Sequence, residues 1–264
     1  MIWPRLSGHT SLLFVAAFAD DPARALRAAQ RWFEATETSQ ITYDDHRLIA
    51  AIGHRFAGNP ALDPHRDLIL SVSKQLWLRG ARVMARLAVL SLTFETMRVP
   101  WMLMGNAVWL VRGQPLFRDV ERAVILVAED AFTYAMSRLW DAGWLPYDGT
   151  TIYTAPDPVS LIDATKSALL LCSDKRVRAT LPKVTPAALW GRSPITQAFN
   201  GTFRLPPPGL LVPLAQVFAP RDRRDVQWAV DLAEIRARDP DVAIKLAGDY
   251  RRMRRQVWLA EKFR

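Results

Sequence analysis

Cysteine is almost missing from this chain of 264 residues. Cys172 stands alone, which excludes an internal disulfide framework and any site built from several thiolates, and fits a reducing compartment. Histidine is scarce too. His9, His46, His54 and His65 contain no HxxxH pair, and no Cys/His cluster exists, so histidine-based metal binding has no support. No uninterrupted apolar stretch approaches the roughly 20 residues needed to cross a bilayer, and no membrane span is expected. Also absent are a GxSxG elbow, a Walker phosphate loop and a GxGxxG turn, which removes the sequence basis for simple nucleophilic hydrolases and dinucleotide enzymes.

What is present is the material of a globular protein. Half of the residues are hydrophobic, ten of them tryptophan, enough for an ordered core. Thirty-five basic residues against 26 acids leave a net charge of +9. Six of the bases fall between Tyr250 and Arg264 with Met253, Val257 and Trp258 interleaved, which reads as a solvated helical tail or a basic docking surface. Near the start, Arg5 precedes the apolar run Leu12 to Ala19, and Ala17-Phe18-Ala19 imitates a cleavage site. Pro4 and a single arginine make a poor basic leader, so the run reads as an ordinary first helix, and a cytoplasmic location is the expectation.

Periodicity then organises the chain. Ala23, Leu26, Ala29, Trp32 and Phe33 recur at helical spacing behind the capping candidates Asp20 and Asp21. Leu48, Ile49, Ile52 and Phe56 follow Asp44 and Asp45 and stop near Gly58-Asn59-Pro60. From about Pro64 to Met97 the pattern predicts one or two long helices, with Gly80 as a break point. The texture changes at Val99 to Met104 and at Ala123 to Val127, which read as buried strands. Between them Gly105 to Val111 looks helical and Arg112 to Pro115 looks like a turn. A helix from Ala131 to Ala142 closes at Gly143, and Trp144 to Tyr147, Thr151 to Thr154 and Val159 to Ile162 are candidates to extend the sheet. Beyond Leu181 the signals turn helical again, at Leu210 to Phe218 and Val226 to Ala237, interrupted by the extended Pro206 to Pro208. The expected class is α+β, predominantly helical, with a small mixed central sheet. The division is a helical part over 1–98, an α/β core over 99–180 and a helical part with a basic tail over 181–264.

Three segments of the core carry a resemblance: Arg98-Val-Pro-Trp-Met-Leu-Met-Gly105, then Arg118 through Val127, then Leu139-Trp-Asp-Ala-Gly143-Trp144. In order and spacing the window resembles the uncharacterised nucleotidyltransferase family of the polymerase-beta-like fold. Its members carry a helix, then GI-x-x-x-x-LKG, then R-x-x-x-DIDLLV, then a helix ending LxxxGF. The resemblance implies a sheet of nucleotidyltransferase type. In that fold two aspartates in D-x-D hold the divalent metal that offsets charge at the attacked phosphate. Alternate spacing sends both carboxylates to one face of the strand, and a third acid on a neighbouring strand completes the site. The glycine after the first strand lets the backbone approach phosphate closely.

This sequence departs from that pattern at the decisive places. Aligning Arg118 with the family arginine puts Arg122 and Val124 in the two aspartate seats, and the family lysine falls on Met104. Asp163 matches the third acid, but its usual following histidine falls on Thr165. Neither an arginine nor a valine coordinates magnesium. The resemblance therefore implies a pseudoenzyme with no cofactor, binding a protein partner or a phosphate or nucleotide through Gly105, Asn106, Arg118 and Arg122. The alternative is an active transferase that modifies a peptide, sugar or small-molecule acceptor, with Asp119, Glu121 and Asp163 as atypical catalytic carboxylates and magnesium as cofactor. Asp119 and Glu121 lie an odd three residues upstream of the expected pair, so an extended segment faces them away unless a bulge intervenes. A third reading makes the basic terminal helix a nucleic-acid contact.

Overall fold

The computed structural model describes residues 8–113, 120–147, 151, 156–191, 193–207, 210, 211, 214, 230, 231 and 233. Two compact units emerge. The first comprises residues 1–79, 115–119 and 220–247, and the second 80–114, 120–219 and 248–264.

In the first unit, helix α1 (Gly8–Phe18) is followed by α2 (Pro22–Ala35), α3 (Tyr43–Arg55) and the opening half of α4 (Arg66–Met97). Local chemistry sets these boundaries. The Asp21 carboxylate accepts from the backbone N–H of Ala23 at 2.9 Å and of Arg24 at 3.2 Å, and Pro22 occupies the first turn, where its missing N–H costs nothing. At α3, the Asp45 carboxylate accepts from the N–H of Thr42 at 2.8 Å in a capping box. The Arg55 guanidinium donates to the carbonyls of Ala16, Ala17 and Ala19 and so satisfies the exposed end of α1. Leu13, Trp32, Leu48, Ile49, Ile52 and Leu76 form the buried core, joined by Val230. Gly53 allows α3 to sit against the first turns of α4, because a Cβ there would fall 2.3 Å from Cγ2 of Ile69. Gly80 does not break α4, which runs through it without interruption.

The second unit holds the closing half of α4 and two sheets. Strand β1 (Trp101–Met104) leads to the short helix α5 (Ala107–Val111). Then come β2 (Arg122–Val127), α6 (Phe132–Asp141), β3 (Leu145–Pro146), β4 (Val159–Ile162), β5 (Ala168–Ser173), α7 (Asp174–Thr180) and α8 (Pro186–Trp190). The sheet order is β1-β2-β5-β4-β3, antiparallel at every step except the parallel pair β2 and β5. The fold is thus α+β, with a small mixed sheet among many helices. One face of the sheet packs under α4, where Phe94 stacks on Trp101 at 5.2 Å between ring centres.

Two parts of the architecture differ from the sequence reading. The central strand β5 was not anticipated. The expectation of renewed helix beyond Leu181 holds for α8 but fails at β6 (Ile195–Ala198) and β7 (Gly201–Arg204), an antiparallel hairpin of its own. Its two-residue loop, Phe199 and Asn200, has positive φ at both positions, the backbone of a type I′ turn. Residues 152–154, most of the helix candidates at 210–218 and 226–237, and the whole basic tail lie outside the described residues. Of those helix candidates, Leu211, Leu214, Val230, Asp231 and Ala233 are described and helical.

Candidate functional site

The edge of the sheet where β1 ends and β2 begins is the place the sequence singles out. Gly105 follows Met104 with φ of +67°, a left-handed backbone that glycine adopts without strain. Met104 pairs with Val124 across β1 and β2, and Val124 pairs in turn with Leu170 of β5. Arg122 pairs with Ala168. Because paired residues share a face and side chains alternate along a strand, Met104, Arg122, Val124, Ala168 and Leu170 all face the same way. That face is opposite the one carrying Trp101.

These are the three seats of a metal site of this type, and their chemistry is wrong for a metal. Val124 and Leu170 are both 6% exposed, and Met104 is fully buried. A Cβ on Gly105 would lie 3.2 Å from Cγ2 of Val124, so the valine methyl fills the space in front of the glycine. Arg122 is half-buried at the start of the strand, and Ala168 is exposed beside it. A magnesium ion needs hard oxygen donors, and arginine, valine, alanine and leucine offer none. Among the described residues no group of three His, Cys, Asp or Glu side chains is placed to hold a metal.

Asp163 sits elsewhere. It follows Ile162, the partner of Ala168 on β4, which places it two strands from β2, roughly 10 Å at the usual ~4.8 Å spacing. There it organises the β4–β5 turn. Its Oδ1 accepts from the N–H of Thr165 at 2.8 Å, the Thr165 hydroxyl at 2.7 Å and the N–H of Ser167 at 2.9 Å. Its Oδ2 lies 3.1 Å from Nε of Arg86 on α4. Thr165, standing where the family has histidine, is therefore a turn-forming partner of this carboxylate. Glu121 is exposed immediately before β2, and Asn106 is half-buried after Gly105. Arg118 and Asp119 lie outside the described residues.

No family model matches the chain, and no curated protein matches it either. The assignment of a role thus rests on the residues themselves.

Partial burial alone would raise the Asp163 pKa. The Thr165 hydroxyl, the N–H groups of Ser167 and Thr165, and the Arg86 charge together outweigh it and hold the carboxyl below its ordinary value. A depressed folded-state value stabilises the fold above the unfolded pKa, and that contribution disappears as pH falls through the folded one. Thermal midpoints measured down through the acid range should therefore show wild type and Asp163→Asn far apart near neutrality and converging in acid. A gap that is independent of pH would contradict the carboxylate's charge as the cause.

Cys172 also faces the Arg122 side of the sheet, fully buried, with its thiol donating to the carbonyl of Ile125 at 3.2 Å. Burial, reinforced by the charge of Asp157, pushes its pKa well up, so it is a protonated core thiol and not a nucleophile.

The polar centre that sequence reasoning missed lies at the far end of β5. Asp174, 5% exposed, accepts from the N–H of Glu129 at 3.1 Å and from the Trp190 indole N–H at 3.1 Å, with Arg178 at 3.4 Å. Glu129 in turn binds Arg178 at 2.6 Å and Lys175 at 3.2 Å. The available signal was Ser173-Asp174 at a junction of strand and helix, the residue types that satisfy free N–H groups there.

Proposed function

We propose that this protein has a nucleotidyltransferase-type core that has lost metal-dependent transfer and serves as a binding module for a phosphate-bearing ligand or a protein partner. The reading rests on the β2–β5 register. A mixed sheet with a parallel central pair presents Arg122, Val124 and the β5 residues Ala168 and Leu170 on the face where a transferase carries its acids. Replacing anions by a cation and aliphatic groups inverts the electrostatics of the site. It disfavours a divalent ion and favours an anion, which an arginine binds through paired N–H donors. No step of nucleotidyl transfer is assigned to these residues.

Isothermal titration with ATP, GTP, CTP and UTP, in magnesium and again in a chelator, tests the reading. Any triphosphate affinity is expected to survive the chelator and to drop on Arg122→Ala, with no pyrophosphate released. Micromolar binding that depends on magnesium, or release of pyrophosphate, would overturn it.

A further inference from the structure

The hairpin β6–β7 has one closed edge and one open edge. The N–H of Leu205 donates to the carbonyl of Pro194 at 2.9 Å, and hydrogen bonding alternates along an antiparallel pair. Pro194, Thr196 and Ala198 therefore turn their backbone groups toward β7, while Ile195 and Gln197 turn theirs away. The same alternation points Thr202 of β7 outward on the other side, and there it is capped. Its N–H donates to the Ser91 hydroxyl at 2.9 Å and its carbonyl accepts from that hydroxyl at 3.0 Å. The outward N–H and C=O groups of Ile195 and Gln197 have no such partner among the described residues. Ile195 is 61% exposed and Gln197 is exposed beside it.

We propose that β6 is a homodimer edge, pairing antiparallel with β6 of a second copy across a twofold axis at Thr196. The geometry closes without remainder. The two outward-facing residues are two positions apart, so antiparallel pairing about Thr196 sets Ile195 opposite the second copy's Gln197 and Gln197 opposite its Ile195. Both become hydrogen-bonded pairs, and every open backbone group of the edge acquires a partner. Thr196 faces its own copy, a pairing that suits strands. Charge agrees with this occupant. The chain carries +9 overall, so two copies repel except where a contact is neutral, and Ile195-Thr-Gln-Ala198 has no charge. It also lacks the lysine or proline that commonly protects a free edge.

Sedimentation velocity on the full chain over a concentration series tests this. The wild type is expected to shift from monomer to dimer. Ile195→Lys with Gln197→Lys places like charges opposite each other in both pairs and should weaken association by about tenfold or more. Ile195→Lys with Gln197→Glu places opposite charges there and should restore it. Gln197→Pro deletes one outward N–H while leaving the bonds to β7, and should be monomeric with an unchanged circular dichroism spectrum. A wild type that stays monomeric throughout, even one that captures an extended peptide, overturns the proposal. So does equal dimerisation of the two charged double variants, or a Gln197→Pro chain that dimerises like wild type.

Discussion

Asp174→Ala is expected to destabilise the protein by about 3–5 kcal/mol, the range for removing one partner of a buried, charged network. The size follows from what the carboxylate leaves behind. The Glu129 N–H and the Trp190 indole N–H both donate to it, and neither regains water when the side chain is cut back. Arg178 keeps Glu129 as a partner, so its charge is not stranded. The outlay is therefore mainly two unsatisfied donors together with the loss of a favourable acid at the first turn of α7. Asp174→Asn retains an oxygen for one of the donors and should fall well short of the alanine effect. Urea denaturation reads this directly, as a lower midpoint with an unchanged slope. A loss below about 1 kcal/mol for the alanine variant would mean that the network is not load-sharing in this way.

Much of the helical framework was legible because its signals are local. Asp21 and Pro22 cap α2 from adjacent positions, and the stripe Leu48, Ile49 and Ile52 marks the inner face of α3. Gly80 is instructive in the other direction. A single glycine costs a helix interior about 1 kcal/mol, which burial of Leu76, Val83 and Leu87 along the same face of α4 outweighs. β2 was readable from Val124, Ile125 and Val127, whose β-branching suits a strand buried on both faces.

β5 was not readable, although it is the centre of the sheet. Ala168-Leu-Leu-Leu-Cys172 has no β-branched residue, and alanine and leucine are strong helix formers. Its strand conformation is imposed by pairing with β2 on one side and β4 on the other, a tertiary fact that no local window contains. The β6–β7 hairpin had a cue in Asn200-Gly201, a frequent turn dipeptide. The actual loop is one residue earlier, Phe199-Asn200, and puts a phenylalanine where glycine or asparagine is usual. The same dependence on pairing governs the candidate site. Sequence order brought Asp163 forward as a third acid, but strand order sets β5 between it and β2 and leaves it holding a turn.

Val124→Asp puts the identity of the second metal seat under direct test. In a working metal site the substitution would return a ligand. Here it would bury a carboxylate at a position 6% exposed, against fully buried Met104 and the 6%-exposed Leu170, and we expect a loss of at least about 3 kcal/mol at neutral pH. The pH dependence identifies the cause. Desolvation raises the folded-state pKa of the new carboxyl above its unfolded value of about 3.9, so the native state holds the proton longer than the unfolded chain does. The penalty is then smallest in acid, where both states are protonated, and grows by up to about 1.4 kcal/mol per pH unit until the folded pKa is passed. Magnesium separates this account from a restored site. Anions in both seats, in Arg122→Asp with Val124→Asp, still meet alanine and leucine on β5, so millimolar magnesium should not raise the thermal midpoint of either variant. An ion that binds the native state adds stability in proportion to the logarithm of its concentration. A midpoint that climbs in that way for Val124→Asp would show that the seat opens to metal, and the reading of an apolar, metal-excluding face would fall with it.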